Sequence, residues 1–248
     1  MPTMAPMNDG RFEWLPPGLS AGFTTRRNAP DGLPAAAGAR TLAALLGAPH
    51  AETARGTQVH RAGLLVATAP PVRDADVVLG EGDAVLTRHA GRVVAVETAD
   101  CVPILFADPG SGWIAALHAG WRGTAARIVD ALLDRLEAEG AYTDRLHVFF
   151  GPSISREAYE VGPEVIEALA RGRPGGLPRD AFRRGRGDRS FLDVAAVNEE
   201  DLFRRGVDPA NIHRPPLCTA SDPSDFPSYR RDGARTGRIL SGIVRIAD

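Results

Sequence analysis

The chain contains no lysine: across 248 residues, all 29 basic side chains are arginine. Schiff-base chemistry, a phosphate-binding P-loop lysine and a catalytic Ser-Lys pair are therefore excluded. Arginine can still grip phosphate or carboxylate through two parallel hydrogen bonds, although a genome biased toward arginine codons explains the usage more simply than any one site. Cysteine is scarce too. With Cys101 and Cys218 as the only thiols, a disulfide framework is not expected and a reducing, cytoplasmic setting is. A single Cys101–Cys218 bridge stays open. Charge of neither sign dominates, and a net charge of -2 offers no bulk electrostatics for nucleic acid. No apolar run approaches the roughly 18 residues of a membrane span, so no membrane partner is expected. The opening MPTMAPMNDG lacks the basic flank and apolar core of a secretory signal.

What is present is an ordinary globular composition, 44% hydrophobic and 24% charged. Helical spacing of Leu42, Leu45 and Leu46 predicts a short helix over 39–49, ended by Gly47 and Pro49. From 63 to 118 short apolar runs separated by Gly, Pro and Asp predict strands: GLLVATA, DAVLT, RVVAVETA, VPILFAD and GWIAALHA. The turn DPGSG joins the last two as a hairpin. TAARIVDALLDRLEAEG predicts a helix with Thr124 as N-cap and Gly140 as stop. A strand follows at RLHVFFGPSI, then helices at 162–171 and at FLDVAAVNEEDLFRRGV. Residues 171–190, rich in Gly, Pro and Arg, read as a mobile surface loop. No repeat and no compositional break divides the chain, so residues 1–248 are expected to form one α+β domain of mixed sheets and helices.

Six histidines are available, and two of them end apolar or strand-like segments where packing does not need an imidazole. His60 closes GTQVH, and His118 closes GWIAALH before a glycine turn. Strand ends facing loops collect functional side chains on a rigid scaffold. Cys101 precedes Pro103, which marks an edge, a bulge or a strand start. Two imidazoles and a thiolate form a soft three-ligand set that leaves a zinc ion a fourth position for water or substrate. Zinc so held brings the pKa of water to about 7. The gaps are long, so the fold must gather the three residues. A buried structural cysteine with surface histidines, or a metal-free Cys/His nucleophile pair, fits the same residues.

Gly120 and Gly123 bracket a strand-to-helix turn in HAGWRG, whose N–H groups and helix dipole favour an anion, with Arg122 beside them. If 99–102 is extended, Asp100 and Cys101 point to opposite faces, which leaves Asp100 a supporting or proton-transfer role. Glu97 shares the side of Cys101 under strict alternation.

The segments TQVH, GDAVLT, TADCVPILFADP, HAGWRG, GPSI…YEVGPEV and CTASDPSDFPSYRRDG…TGR occur in the order seen in the YfiH-like, or multicopper polyphenol oxidase laccase-type, family. The chain resembles that family over roughly residues 55 to 245. The resemblance implies an α+β, αββα-like sandwich, distantly similar to cysteine hydrolases of the deamidating-toxin type. It implies a metal, usually zinc, on His60, Cys101 and His118, these and Asp100 forming the catalytic group. It also implies purine nucleosides and phosphate as partners, through phosphorolysis of adenosine, inosine and methylthioadenosine and deamination of adenosine. Arg26, Gln58, Arg122, Ser228 and Arg230 are then expected to contact nucleoside and phosphate, in a monomer or small homo-oligomer. The older laccase label implies copper and phenol oxidation. Six scattered histidines suit one redox-inert ion better than several coppers. Some relatives are linked to peptidoglycan editing, which keeps a Cys101/His118 amidase as an alternative, beside a non-catalytic metal-containing binding protein. One departure stands out. After TTR, family members continue through a Gly-rich, SLN-like stretch, whereas here TTRRNAPDGLPAAAGARTLAALLG runs almost directly into the next helix. Asn28 has no assigned counterpart, and part of the pocket wall is expected to be missing.

Overall fold

A computed structural model describes residues 9–13 and 15–246. Most of the opening stretch read for a leader, residues 1–8, lies outside them. The chain begins with β1 (Leu19–Phe23), α1 (Ala35–Leu45), β2 (Glu52–Thr57), β3 (Leu64–Val66), β4 (Asp76–Glu81), β5 (Ala84–Thr87) and β6 (Arg92–Thr98). It continues through β7 (Val102–Ala107), β8 (Ile114–Ala119), α2 (Trp121–Ala125), α3 (Ile128–Ala138), β9 (His147–Phe150), β10 (Glu160–Val161) and α4 (Pro163–Ala170). Last come β11 (Phe182–Arg184), β12 (Ser190–Leu192), α5 (Val194–Arg204), β13 (Ile212–His213), α6 (Tyr229–Asp232) and β14 (Ile239–Arg245).

Two large mixed sheets carry the fold, one ordered β1-β14-β6-β2-β4 and the other β13-β9-β7-β8-β5-β3. Alternation along the strands assigns each face. In β6, Val93 and Ala95 pack with Leu42 of α1, while Val94 and Val96 pack with Leu105, Ala107, Ile114 and Phe149 of the second sheet. In β7, Ile104 and Phe106 face the other way, against Leu132 and Leu136 of α3 and Val197 and Leu202 of α5. The layers therefore run helix, sheet, sheet, helix, and each such leucine contributes roughly 1.5–3 kcal/mol by burial. Because both faces of β6, β7 and β8 are covered, these strands read as near-continuous apolar runs.

The hairpin expected at 102–119 forms, with Val102 opposite Ala119 and Pro103 opposite His118. Pro103 sits at the second residue of β7, which is flanked by β9 and β8, so it marks a strand start and not a sheet edge. Several sequence expectations are corrected. The first helix starts at Ala35, four residues early. The segment from Thr124 is two helices, α2 and α3, broken at Arg127, whose φ is +62°. Thr124 is not an N-cap: it lies inside α2, buried against Asn198, whose Nδ2 donates to its Oγ1 at 3.0 Å. Gly140, at φ +87°, does follow the last turn of α3. Residues 171–190 include β11, the edge of a three-stranded sheet ordered β10-β12-β11. Within that stretch Arg173 is buried and ion-paired with Asp201 at 2.7 Å, so it is not available to a ligand. The last predicted helix gives up Phe191 and Leu192 to β12, and Asp193 caps α5 by accepting from the Ala196 N–H at 3.0 Å. Among the described residues no helix is long and apolar enough to cross a membrane.

Candidate functional site

The hairpin register returns Cys101, one residue before β7, and His118, next to last in β8, to the same end of the sheet. The loop after β2 brings His60 to them. One ligand atom from each of the three lies within 4.8 Å of the others. The two imidazoles meet edge to face at 4.8 Å and 87°. Gly120 makes this approach feasible: a Cβ there would stand 3.0 Å from Cys101 Sγ and 3.2 Å from His60 Cδ2. Behind the cluster sits Asp83, just before β5, with its carboxylate 2.8 Å from His118 Nδ1. The same carboxylate accepts from the N–H groups of Val59, His60 and Arg61. The sequence reading missed Asp83, although GDAVLT contains it.

Burial disfavours the Cys101 thiolate, but hydrogen bonds and charge from His118 and His60 outweigh it and bring the thiol down to about 6. Burial likewise pushes His118 down, and Asp83 and Cys101 reverse this, raising it to about 9. Burial raises Asp83, while its bonds to His118 and the Arg61 and His60 N–H groups hold it below the usual carboxylate range. Both shifts run in the direction that favours a thiolate beside an imidazolium in the metal-free cluster. The donor set, one sulfur and two imidazole nitrogens converging on one point, fits a soft or borderline divalent ion with a fourth position open. It is the one such cluster of three or more His, Cys, Asp or Glu side chains among the described residues.

His60, Cys101 and His118 line a cleft of about 800 Å³. Arg122 and Arg230 line it too, stacked over Trp121 at 4.2 Å and Tyr159 at 4.9 Å respectively. Neither arginine has a carboxylate partner among the described residues, so both retain charge for an anion. Tyr159 is a half-buried phenol, pushed up to about 12 by desolvation and by the nearby Cys101 charge. Arg238 lines the same cleft and was not foreseen, although TGR contains it. Arg55, also in the wall, is by contrast neutralised by Asp76 at 2.7 Å and by Glu97.

The other expected contacts are spent elsewhere. Arg26 is ion-paired with Asp31 at 2.7 Å and Asp232 at 3.1 Å and is not among the cleft residues. Ser228 is buried and caps α6 by accepting from the Arg231 N–H at 3.3 Å, so it too lies outside the cleft wall. Gln58 is in the wall, but its amide is clamped to the backbone of Glu97, donating and accepting at 2.7 Å. Asp100 is not extended: at φ +90° it lines the cleft together with Cys101, against the opposite-face expectation. Its oxygens accept from the Thr219 hydroxyl and the Arg230 N–H, each at 2.6 Å, so it anchors the Arg230 segment. Asn28 closes a local turn by accepting from the Thr25 N–H at 2.9 Å.

Residues 32–246 match the family described as multi-copper polyphenol oxidoreductase laccase. The chain belongs to that family. Within the laccase-type family, a purine nucleoside phosphorylase of Deinococcus radiodurans is 37% identical over 226 residues, covering 91% of this chain and 83% of its own. The adenosine deaminase RL5, from an unknown prokaryotic organism, is 35% identical over 209 residues, 83% of this chain and 79% of its own. The crystal structure of YlmD from Geobacillus stearothermophilus superposes with a TM-score of 0.86 at 27% identity, covering 99% of each chain. YfiH of Bacillus licheniformis superposes with the same score at 25% identity, covering 98% of this chain and 99% of its own. The mixed α+β fold expected from the sequence is thus the fold of these neighbours.

Proposed function

We propose that this laccase-type chain is a zinc-dependent, cytoplasmic purine nucleoside phosphorylase that also deaminates adenosine at the same site. The observation that carries this reading is the convergence of His60, Cys101 and His118 at a cleft whose Arg122 and Arg230 have no carboxylate partner among the described residues. When bound, zinc supplies Lewis acidity beside the reacting group and brings the pKa of water to about 7. Arg122 and Arg230 hold phosphate by charge-assisted hydrogen bonds. Tyr159 and Trp121 give the nucleoside an apolar wall and exclude water. In phosphorolysis the C1′–N9 bond breaks, a C1′–O bond to phosphate forms, and the departing base takes the proton that phosphate gives up. In deamination water replaces the exocyclic amine, which leaves as ammonia. Glu97 is better placed than Asp100 to move that proton, because only its Oε1 is engaged, by Arg55, whereas both Asp100 oxygens accept hydrogen bonds.

That the described residues hold one three-residue cluster speaks against the several coppers that the family's name implies. A second reading is favoured by one observation, the Cys101 sulfur within 4.8 Å of a His118 ring nitrogen that draws its thiol down: a metal-free cysteine hydrolase acting on an amide such as a peptidoglycan precursor. Incubation with adenosine and phosphate, followed by chromatography, is expected to give adenine, ribose 1-phosphate and some inosine. No turnover with stoichiometric zinc present overturns the phosphorylase reading. Amidase activity that survives chelation establishes the second.

A further inference from the structure

We propose that Asp83 is a positioning residue that presets two of the three metal ligands at once, fixing the tautomer of His118 and the backbone of His60. The proposal rests on reading His60, Cys101 and His118 as a metal site. Asp83 is 1% exposed, and its Oδ1 lies 2.8 Å from His118 Nδ1. A carboxylate there holds a proton on Nδ1 and leaves Nε2 as the only His118 nitrogen able to take an ion. The two residues are also joined through the backbone, the His118 N–H donating to the Asp83 carbonyl at 2.7 Å.

The second task of the same carboxylate concerns the His60 loop. Oδ1 accepts from the His60 N–H at 2.9 Å, and Oδ2 from the Val59 and Arg61 N–H groups at 3.2 and 2.9 Å. Three successive N–H groups turned toward one point require a tight curl of the chain. His60 supplies it with φ +59°, in the left-handed region that a residue with a side chain seldom occupies. The loop holds this strained shape because a buried charge rewards all three donors together. His60, the one exposed ligand and the one outside the β7–β8 hairpin, is thereby delivered to a preset position.

A merely structural buried aspartate predicts something different, and the chain contains one for comparison. Asp108, equally buried, closes the β7–β8 turn by accepting from the Gly110 N–H at 2.9 Å and touches none of the three ligands. Asp83→Asn keeps the size but replaces one acceptor oxygen by an N–H₂ group that cannot serve these donors. Zinc affinity is to be measured by competition with a chromophoric chelator for the wild type, Asp83→Asn and Asp108→Asn, alongside thermal melting of each. Asp83→Asn is expected to bind zinc roughly 10–100-fold more weakly, and Asp108→Asn within about twofold of the wild type, whatever each loses in melting temperature. Asp83→Asn binding within about twofold of the wild type overturns the proposal. Should that variant fail to fold, nitrogen NMR of histidine-labelled wild type decides. A proton on His118 Nδ1 with Nε2 shifted by zinc supports the proposal, and the reverse assignment overturns it. A wild type that takes up no zinc overturns the metal reading itself, a result distinct from zinc uptake that is indifferent to Asp83.

Discussion

Cys101 and Cys218 are both free and both half-buried, and their flanking residues touch, Thr219 donating to Asp100 at 2.6 Å. The disulfide left open by the sequence is not formed. Their surroundings differ in kind. Cys101 faces two imidazoles and opens onto the large cleft. Cys218 lines a separate cavity of about 550 Å³, beside Pro215 and Leu217. Burial raises its thiol, but Ser155 and Ser221 more than offset that and leave it below the usual range. Neutral donors can only solvate a thiolate, whereas an imidazolium adds opposite charge. A thiol's chemistry here follows the charge of its neighbours, not its exposure.

Breaking that contrast begins with removal of each thiol. Cys101→Ala is expected to lose bound zinc and about 10³-fold in phosphorolysis, while Cys218→Ala keeps both, as elemental analysis and steady-state kinetics would register. Equal losses in the two variants would erase the distinction. Gly120→Ala sharpens the same contrast without touching either sulfur. Its Cβ, 3.0 Å from Cys101 Sγ, forces a shift costing roughly 1–3 kcal/mol, read as about tenfold weaker zinc binding with the Cys218 environment unchanged. The thiols should also separate by pH in the zinc-free protein. The folded value of Cys101 lies below its ordinary one, so its alkylation by iodoacetamide rises as pH climbs through about 6, and Cys218 follows at higher pH. Mass spectrometry of labelled peptides that finds Cys218 reacting first would contradict the electrostatic account. The smallest effect is on stability: Cys218→Ala removes the acceptor of the Ser155 N–H and should lower unfolding free energy by about 1 kcal/mol in urea titration.

The hairpin, and the return of Cys101 and His118 to one end of it, were legible because apolar strand runs, a turn and the 101-to-118 spacing all agree locally. β2 and β4 were not. Their sequences, ETARGT and DVVLGE, look polar because Arg55 of one is paired with Asp76 of the other, so charge that reads as exposure is neutralised between neighbouring strands. Thr124 was misread for a related reason: the helix breaks at Arg127, whose guanidinium is bound by Asp130 and by Asp201 from α5, a distant partner that no local pattern announces. At the site, residue type and motif pointed to Arg122 and Arg230, which do line the cleft, but could not reveal that Arg26 and Ser228 are consumed by other bonds. Asp83 escaped because a residue that acts through a ligand carries no spacing signature of its own.

The β7–β8 hairpin has a kinetic consequence. Cys101 and His118 are joined by a single short turn, so the loop that unites them closes at small entropic cost and can form early. His60, in the loop between β2 and β3, joins them only once Asp83 beside β5 has gathered that loop, which makes completion of the three-residue cluster a report on a later stage of folding than the hairpin.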